Sequence, residues 1–176
     1  MKNLFPPASE EFAPFYADYV ARATARGDVF AAMSKQIDEV NAALRKLNDS
    51  QARFRNGPEE WSIKQIVSHL IDAERVFSYR LLRFSRNDKT PIPGFEQNNY
   101  VRECIADELP LEDLLNELEF IRRANILYVK NLTEEATKRI GTASGNPVSA
   151  RALIYIIVGH VEHHMASLHE KYLPFV

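Results

Sequence analysis

The chain has 176 residues, enough for one domain that buries roughly 70% of its unfolded surface. Its formal charge of -2, with lysines and arginines scattered, excludes the concentrated basic face that phosphate binding needs. One cysteine, Cys104, excludes an intramolecular disulfide, and no apolar run approaches the length of a membrane span.

Met1 to Pro7 carries a lone lysine and no apolar stretch, so no signal peptide is expected, and the setting that follows is cytoplasmic. A short first helix is predicted over about Ser9 to Arg22, within an N-terminal arm of residues 1–26. Residues 27–176 then form a single helical domain. Gly27 and Asp28 open a long helix with Val29, Met33, Ile37, Val40, Leu44 and Leu47 inward at helical spacing. It fades in the polar run "NDSQARFRNGP". Ser62 and Gln65 have the Ser-x-x-Gln spacing of a capping box, with Trp61 and Ile66 as the hydrophobic staple. The helix they begin shows Ile66, Leu70, Ala73, Phe77 and Leu81 on one stripe and runs to about Ser85.

Pro91, Pro93 and Gly94 make Asn87 to Asn99 a loop. A third long helix starts near Pro110 with Leu111, Leu114, Leu115, Leu118 and Ile121 apolar. Thr133 caps a short turn ending at Gly141. Asn146 and Pro147 read as the N-cap and first residue of the last helix, which ends at Leu173 before Pro174. Four long amphipathic helices suggest an all-α four-helix bundle with a short extra N-terminal helix.

Four of the five histidines lie in "GHVEHHMASLH", Gly159 to His169. At 100° per residue, Leu153, Ile157, His160, His164 and Leu168 share one narrow stripe. His160 and His164 therefore point inward, His163 falls on the flank, and His169 lies nearly opposite with Glu162. A single inward histidine is ordinarily a hydrogen-bonded core residue. Burying two unpaired imidazoles costs roughly 2 kcal/mol or more, and a divalent metal at i and i+4 relieves that cost. His69 sits beside the stripe of its own helix, either a third ligand or a residue of a helix–helix seam. The wheels leave both readings open.

The order and spacing of "WSIKQIVSHLIDAE" (Trp61 to Glu74), "DKTPIPGFEQ" (Asp88 to Gln97) and Gly159-His160-x-x-His163-His164 resemble the DinB/YfiT family, from about Gly27 to Tyr172. The resemblance implies a four-helix bundle that holds a divalent metal through His69, His160 and His164. Relatives are described as metal-dependent hydrolases, or as transferases and isomerases using a low-molecular-weight thiol such as bacillithiol or mycothiol. The expected cofactor is a divalent transition metal, zinc or nickel first, with iron, manganese or copper also compatible. The expected partners are a small-molecule substrate and a second copy of the chain, forming a homodimer, with neither nucleic acid nor membrane. A non-enzymatic metal-binding module is the alternative.

No carboxylate on the metal-facing stripes stands out as a general base. Glu162 reads as solvated, Glu74 as one arm of a surface salt bridge or, alternatively, a partner behind a metal-bound histidine, and Asp72 as a flank residue. Tyr79, Arg80 and Tyr100 are candidates for orienting a substrate. Cys104 reads as an inert small hydrophobe, and Phe77, Phe84 and Phe95 as core and loop anchors. The Glu-x-x-His pairs of di-iron bundles and the zincin His-Glu-x-x-His are absent.

Overall fold

The computed structural model describes residues 4–176. After two 3₁₀ turns at Ser9–Glu11 and Pro14–Tyr16 come helices α1 (Ala17–Ala25), α2 (Val29–Leu44), α3 (Asp49–Ala52), α4 (Ile63–Ser85), α5 (Gln97–Glu103), α6 (Leu111–Lys130) and α7 (Glu134–Lys138). A hairpin of β1 (Ile140–Ala143) and β2 (Asn146–Ser149) follows, then α8 (Ala150–Lys171) and a last 3₁₀ turn. Helices α2, α4, α6 and α8 form the four-helix bundle, with α1 laid along α8.

The start signals explain the register. Asp28 caps α2 through the Ala31 amide, and Gly27 supplies the positive φ of 77° before it. Ser62 and Gln65 complete the reciprocal capping box of α4. Thr133 caps α7 as expected, but that helix ends at Lys138 rather than Gly141.

Three local expectations are corrected. Pro14 breaks the first helix, so only Ala17 onward is α-helical. Short helices occupy Asp49–Ala52 and Gln97–Glu103, the second overlapping the end of the expected loop. Asn146 and Pro147 do not begin α8. Ser144 and Gly145 have φ of 52° and 77°, the paired positive values of a two-residue hairpin turn, and Thr142 pairs with Pro147. The N-cap of α8 is Ser149, which accepts from the Ala152 amide.

The buried apolar residues fall into two clusters. One centres on Ala73, Phe77, Leu153 and Ile157, the other on Leu70, Leu115, Val161 and Leu168. Gln36, His69, Glu74, Arg122 and His160 are buried polar residues at the boundary between them. The bundle interior thus carries a polar layer, and the candidate site lies in it. Among the described residues, no helix is long and apolar enough to cross a membrane.

Candidate metal centre

The α4 cap fixes where the helix begins and so places His69 in its second turn. The Ser149 cap places His160 and His164 on the α8 face that meets α4. The rings of His69 and His160 are 4.9 Å apart, those of His69 and His164 4.9 Å, and those of His160 and His164 4.6 Å. One nitrogen from each of the three lies within 4.8 Å of the others, and the group has three members among the described residues. The closest approach is Nε2 of His69 to Nε2 of His160, at 3.0 Å.

Two nitrogens 3.0 Å apart can both bind one ion at about 2.0–2.1 Å, and a His164 nitrogen lies within 4.8 Å of theirs. His69 is therefore not displaced to a distant seam. It is buried, as is His160, while His164 is half-buried.

Burial drives the electrostatics. It lowers the pKa of His69 to about 4 and that of His164 to about 3, the latter helped by His69 and His163. His160 is held well below its ordinary value by burial, then by its histidine neighbours and Arg122. All three imidazoles are thus neutral at pH 7, the state in which a ring nitrogen offers a lone pair to a cation.

Aromatic rings enclose the cluster. Trp61, the staple residue before α4, lies 4.9 Å from the His69 ring. Tyr19 meets both His160 and His163 edge-on at 5.4 Å, and Phe77 meets His160 at 5.7 Å. Tyr19 reaches the site because α1 presses onto α8 at Gly159. A Cβ there would stand 1.8 Å from the Tyr19 carbonyl oxygen, so only glycine permits this approach.

His163 stays outside the trio. Its Nδ1 is 3.5 Å from an Asp18 carboxylate oxygen and makes no hydrogen bond. His169 is exposed, as its wheel position predicts. Tyr79 and Tyr100 are also exposed, whereas Arg80 is buried. Cys104 donates to the Val101 carbonyl.

Two carboxylates depart from their expected places. Glu74 is not on the surface: it is 2% exposed and takes both Arg122 Nε and Nη2 at 2.8 Å, with Asn125 donating to it at 2.8 Å. Glu162 is not free in solvent. It accepts from Gln36 at 2.7 Å and lies 3.5 Å from Arg26. Gln36 in turn accepts from Arg122 and donates to the Val158 carbonyl. Sequence reasoning missed this network. A faint signal existed, because Arg122 and Asn125 lie next to the apolar face of their helix, at positions where a charge needs a partner.

Comparison with known proteins agrees with this architecture. The model of the DinB superfamily matches residues 32–168. A Geobacillus thermodenitrificans protein named "Putative metal-dependent hydrolase" is 28% identical over 144 residues, covering 78% of this chain and 79% of that protein. An Oceanobacillus iheyensis protein of the same description is 26% identical, over 76% and 80% of the two chains. Among solved structures, YfiT from Bacillus subtilis, described as a "probable metal-dependent hydrolase", superposes with a TM-score of 0.74 at 15% identity. It covers 94% of this chain and 90% of its own. The mycothiol-dependent maleylpyruvate isomerase superposes at 0.66 with 14% identity, over 80% of this chain and 59% of that one. At these identities the structural matches establish the fold alone.

Proposed function

The chain belongs to the DinB superfamily, and from that premise we propose that it is a metal-dependent enzyme whose centre is built by His69, His160 and His164. The observation that carries this reading is the convergence of three neutral imidazoles from two helices, two buried and one half-buried, with nitrogens within 4.8 Å of one another. The relatives named as metal-dependent hydrolases support the same class of activity.

His69, His160 and His164 would hold a divalent transition metal of the kind imidazoles accept, such as zinc, nickel, iron or copper, and as neutral ligands would leave its double charge undiminished. When bound, it supplies Lewis acidity that lowers the pKa of a water to about 7 or deprotonates a thiol. Three protein donors leave a coordination position for that reactant, whereas a closed structural zinc site uses four. The remaining residues shape the centre. Trp61, Phe77 and Tyr19 pack against the ligand rings and restrict their rotation. The reaction class is hydrolysis of a small molecule or S-transfer from a low-molecular-weight thiol.

A two-armed screen separates these. Zinc- or nickel-loaded protein is assayed for consumption of monochlorobimane with bacillithiol or mycothiol, and for hydrolysis of a panel of small esters and amides. Turnover in one arm that disappears in His160→Ala and on chelation is the expected result. Equal turnover by chelated, metal-free protein contradicts the proposal.

A further inference from the structure

Three cationic side chains are buried in the described structure: Lys64, Arg80 and Arg122. Lys64 is paired with Asp49, and Arg122 with Glu74. Arg80 is 2% exposed and has no carboxylate within ion-pair distance among the described residues. Its contacts are neutral: the Tyr16 hydroxyl at 3.4 Å, the Pro93 carbonyl at 3.3 Å and the Ser144 hydroxyl at 3.0 Å. Its Nε is buried and makes no hydrogen bond. A guanidinium is charged at every accessible pH, so this arrangement leaves a buried charge without an anion and a donor without an acceptor.

Arg80 also has a defined place relative to the histidines. It lies about three turns beyond His69 on the same face of α4. Phe77 connects the two, its ring 5.7 Å from the His160 ring and 6.0 Å from the Arg80 Cζ. Tyr16 completes the wall, 6.2 Å from Phe77. Packed aromatic rings thus lead from the three imidazoles to a guanidinium whose fork is not engaged by any acid among the described residues.

We propose that Arg80 is the anion anchor of the substrate site, and that the substrate class is a carboxylic acid with an apolar body. The carboxylate takes the Arg80 Nε and a terminal Nη in the fork geometry Arg122 uses on Glu74. The apolar body lies along Phe77, which directs its other end towards the histidines. Tyr16, Pro93 and Ser144 come from the N-terminal segment, the loop after α4 and the hairpin turn. Two of their three contacts with Arg80 are longer than 3.2 Å, so a charge-assisted pair can displace them. Only the direction of the reacting end rests on the metal-centre reading; the anion site does not.

Benzoate and its uncharged counterpart benzamide are titrated into wild type and Arg80→Met, with and without zinc, by calorimetry. The expected result is benzoate binding to wild type, no comparable binding of benzamide, and a loss of about tenfold or more in Arg80→Met. Arg80→Met free of ligand should unfold at the same temperature as wild type or higher, because the substitution removes an uncompensated buried charge. Should that variant not fold, the Arg80 Nε–Hε resonance of wild type replaces it, and benzoate must shift that resonance while benzamide does not. Benzoate binding without zinc keeps the anchor even if metal loading fails, so the two readings fail separately. Equal benzoate affinity in Arg80→Met, an unmoved Nε–Hε resonance, or a marked loss of ligand-free stability in Arg80→Met overturns the proposal.

Discussion

The polar layer of the bundle contains two clusters of opposite character. In the Glu74–Arg122 cluster both oxygens of Glu74 accept from Arg122, Asn125 adds a third donor, and Gln36 continues the chain to Glu162. Each buried group there finds its partner inside the protein. In the histidine cluster, Nε2 faces Nε2 at 3.0 Å and, among the described residues, no acidic side chain joins the three rings. The first cluster is complete as folded, and the second, on the proposed reading, would hold a cation through its three imidazoles. That difference distinguishes a structural polar core from a candidate site, of which His69 and His160 are as buried as Glu74 and Arg122 while His164 is half-buried.

The comparison makes its largest prediction for the saturated side. Arg122→Ala leaves Glu74 buried and unpaired, and should cost about 3–5 kcal/mol of unfolding free energy. The double variant Glu74→Leu with Arg122→Met should recover most of that loss, as read by urea denaturation. An Arg122→Ala protein as stable as wild type would break the comparison.

A smaller effect is expected at the cover of the histidine side. Gly159→Ala forces α1 away from α8 and should cost about 1–3 kcal/mol. It should also raise the exposure of His160, measured by its rate of modification with diethyl pyrocarbonate. Unchanged stability and reactivity would show that the close contact of α1 is dispensable.

An effect of similar size sharpens the role of the N-terminal segment that delivers Tyr19. Burial pushes the Glu11 carboxyl pKa up, but hydrogen bonds from Arg151, the Ala8 amide and Ser149, with the Arg151 charge, outweigh it and bring it from 4.5 down to about 2. Between those values the unfolded chain binds the extra proton. The contribution is therefore whole above pH 4.5 and drains away as pH falls towards 2, by on the order of 2 kcal/mol. Thermal melts from pH 6 to 2.5 should show this slope in wild type and its flattening in Glu11→Gln.

Much of this was legible beforehand, for identifiable reasons. The long helices carry strong 3.6-residue periodicity, and the Ser62–Gln65 box marks one start without ambiguity. His160 and His164 were visible because polar residues interrupt a narrow apolar stripe. His69 was not decided by its own wheel, since its role depends on which helix lies opposite, and only the DinB-like pattern implied it. The hairpin was hidden because Pro147 resembles a first helical residue, while the Ser144–Gly145 turn that overrides it spans two positions. Glu74 was misplaced, and Arg122 did not stand out at all, for a related reason. They lie 48 positions apart, and neither helix alone reveals that each neutralises the other inside the bundle.

The most direct test of the histidine side is metal content, measured by inductively coupled plasma mass spectrometry on protein purified without chelator. Near-stoichiometric zinc or nickel in wild type, lost in His69→Ala, His160→Ala and His164→Ala while circular dichroism shows the bundle intact, is the predicted result. Folded wild-type protein that stays metal-free in metal-replete buffer, or variants that retain their metal, would contradict it.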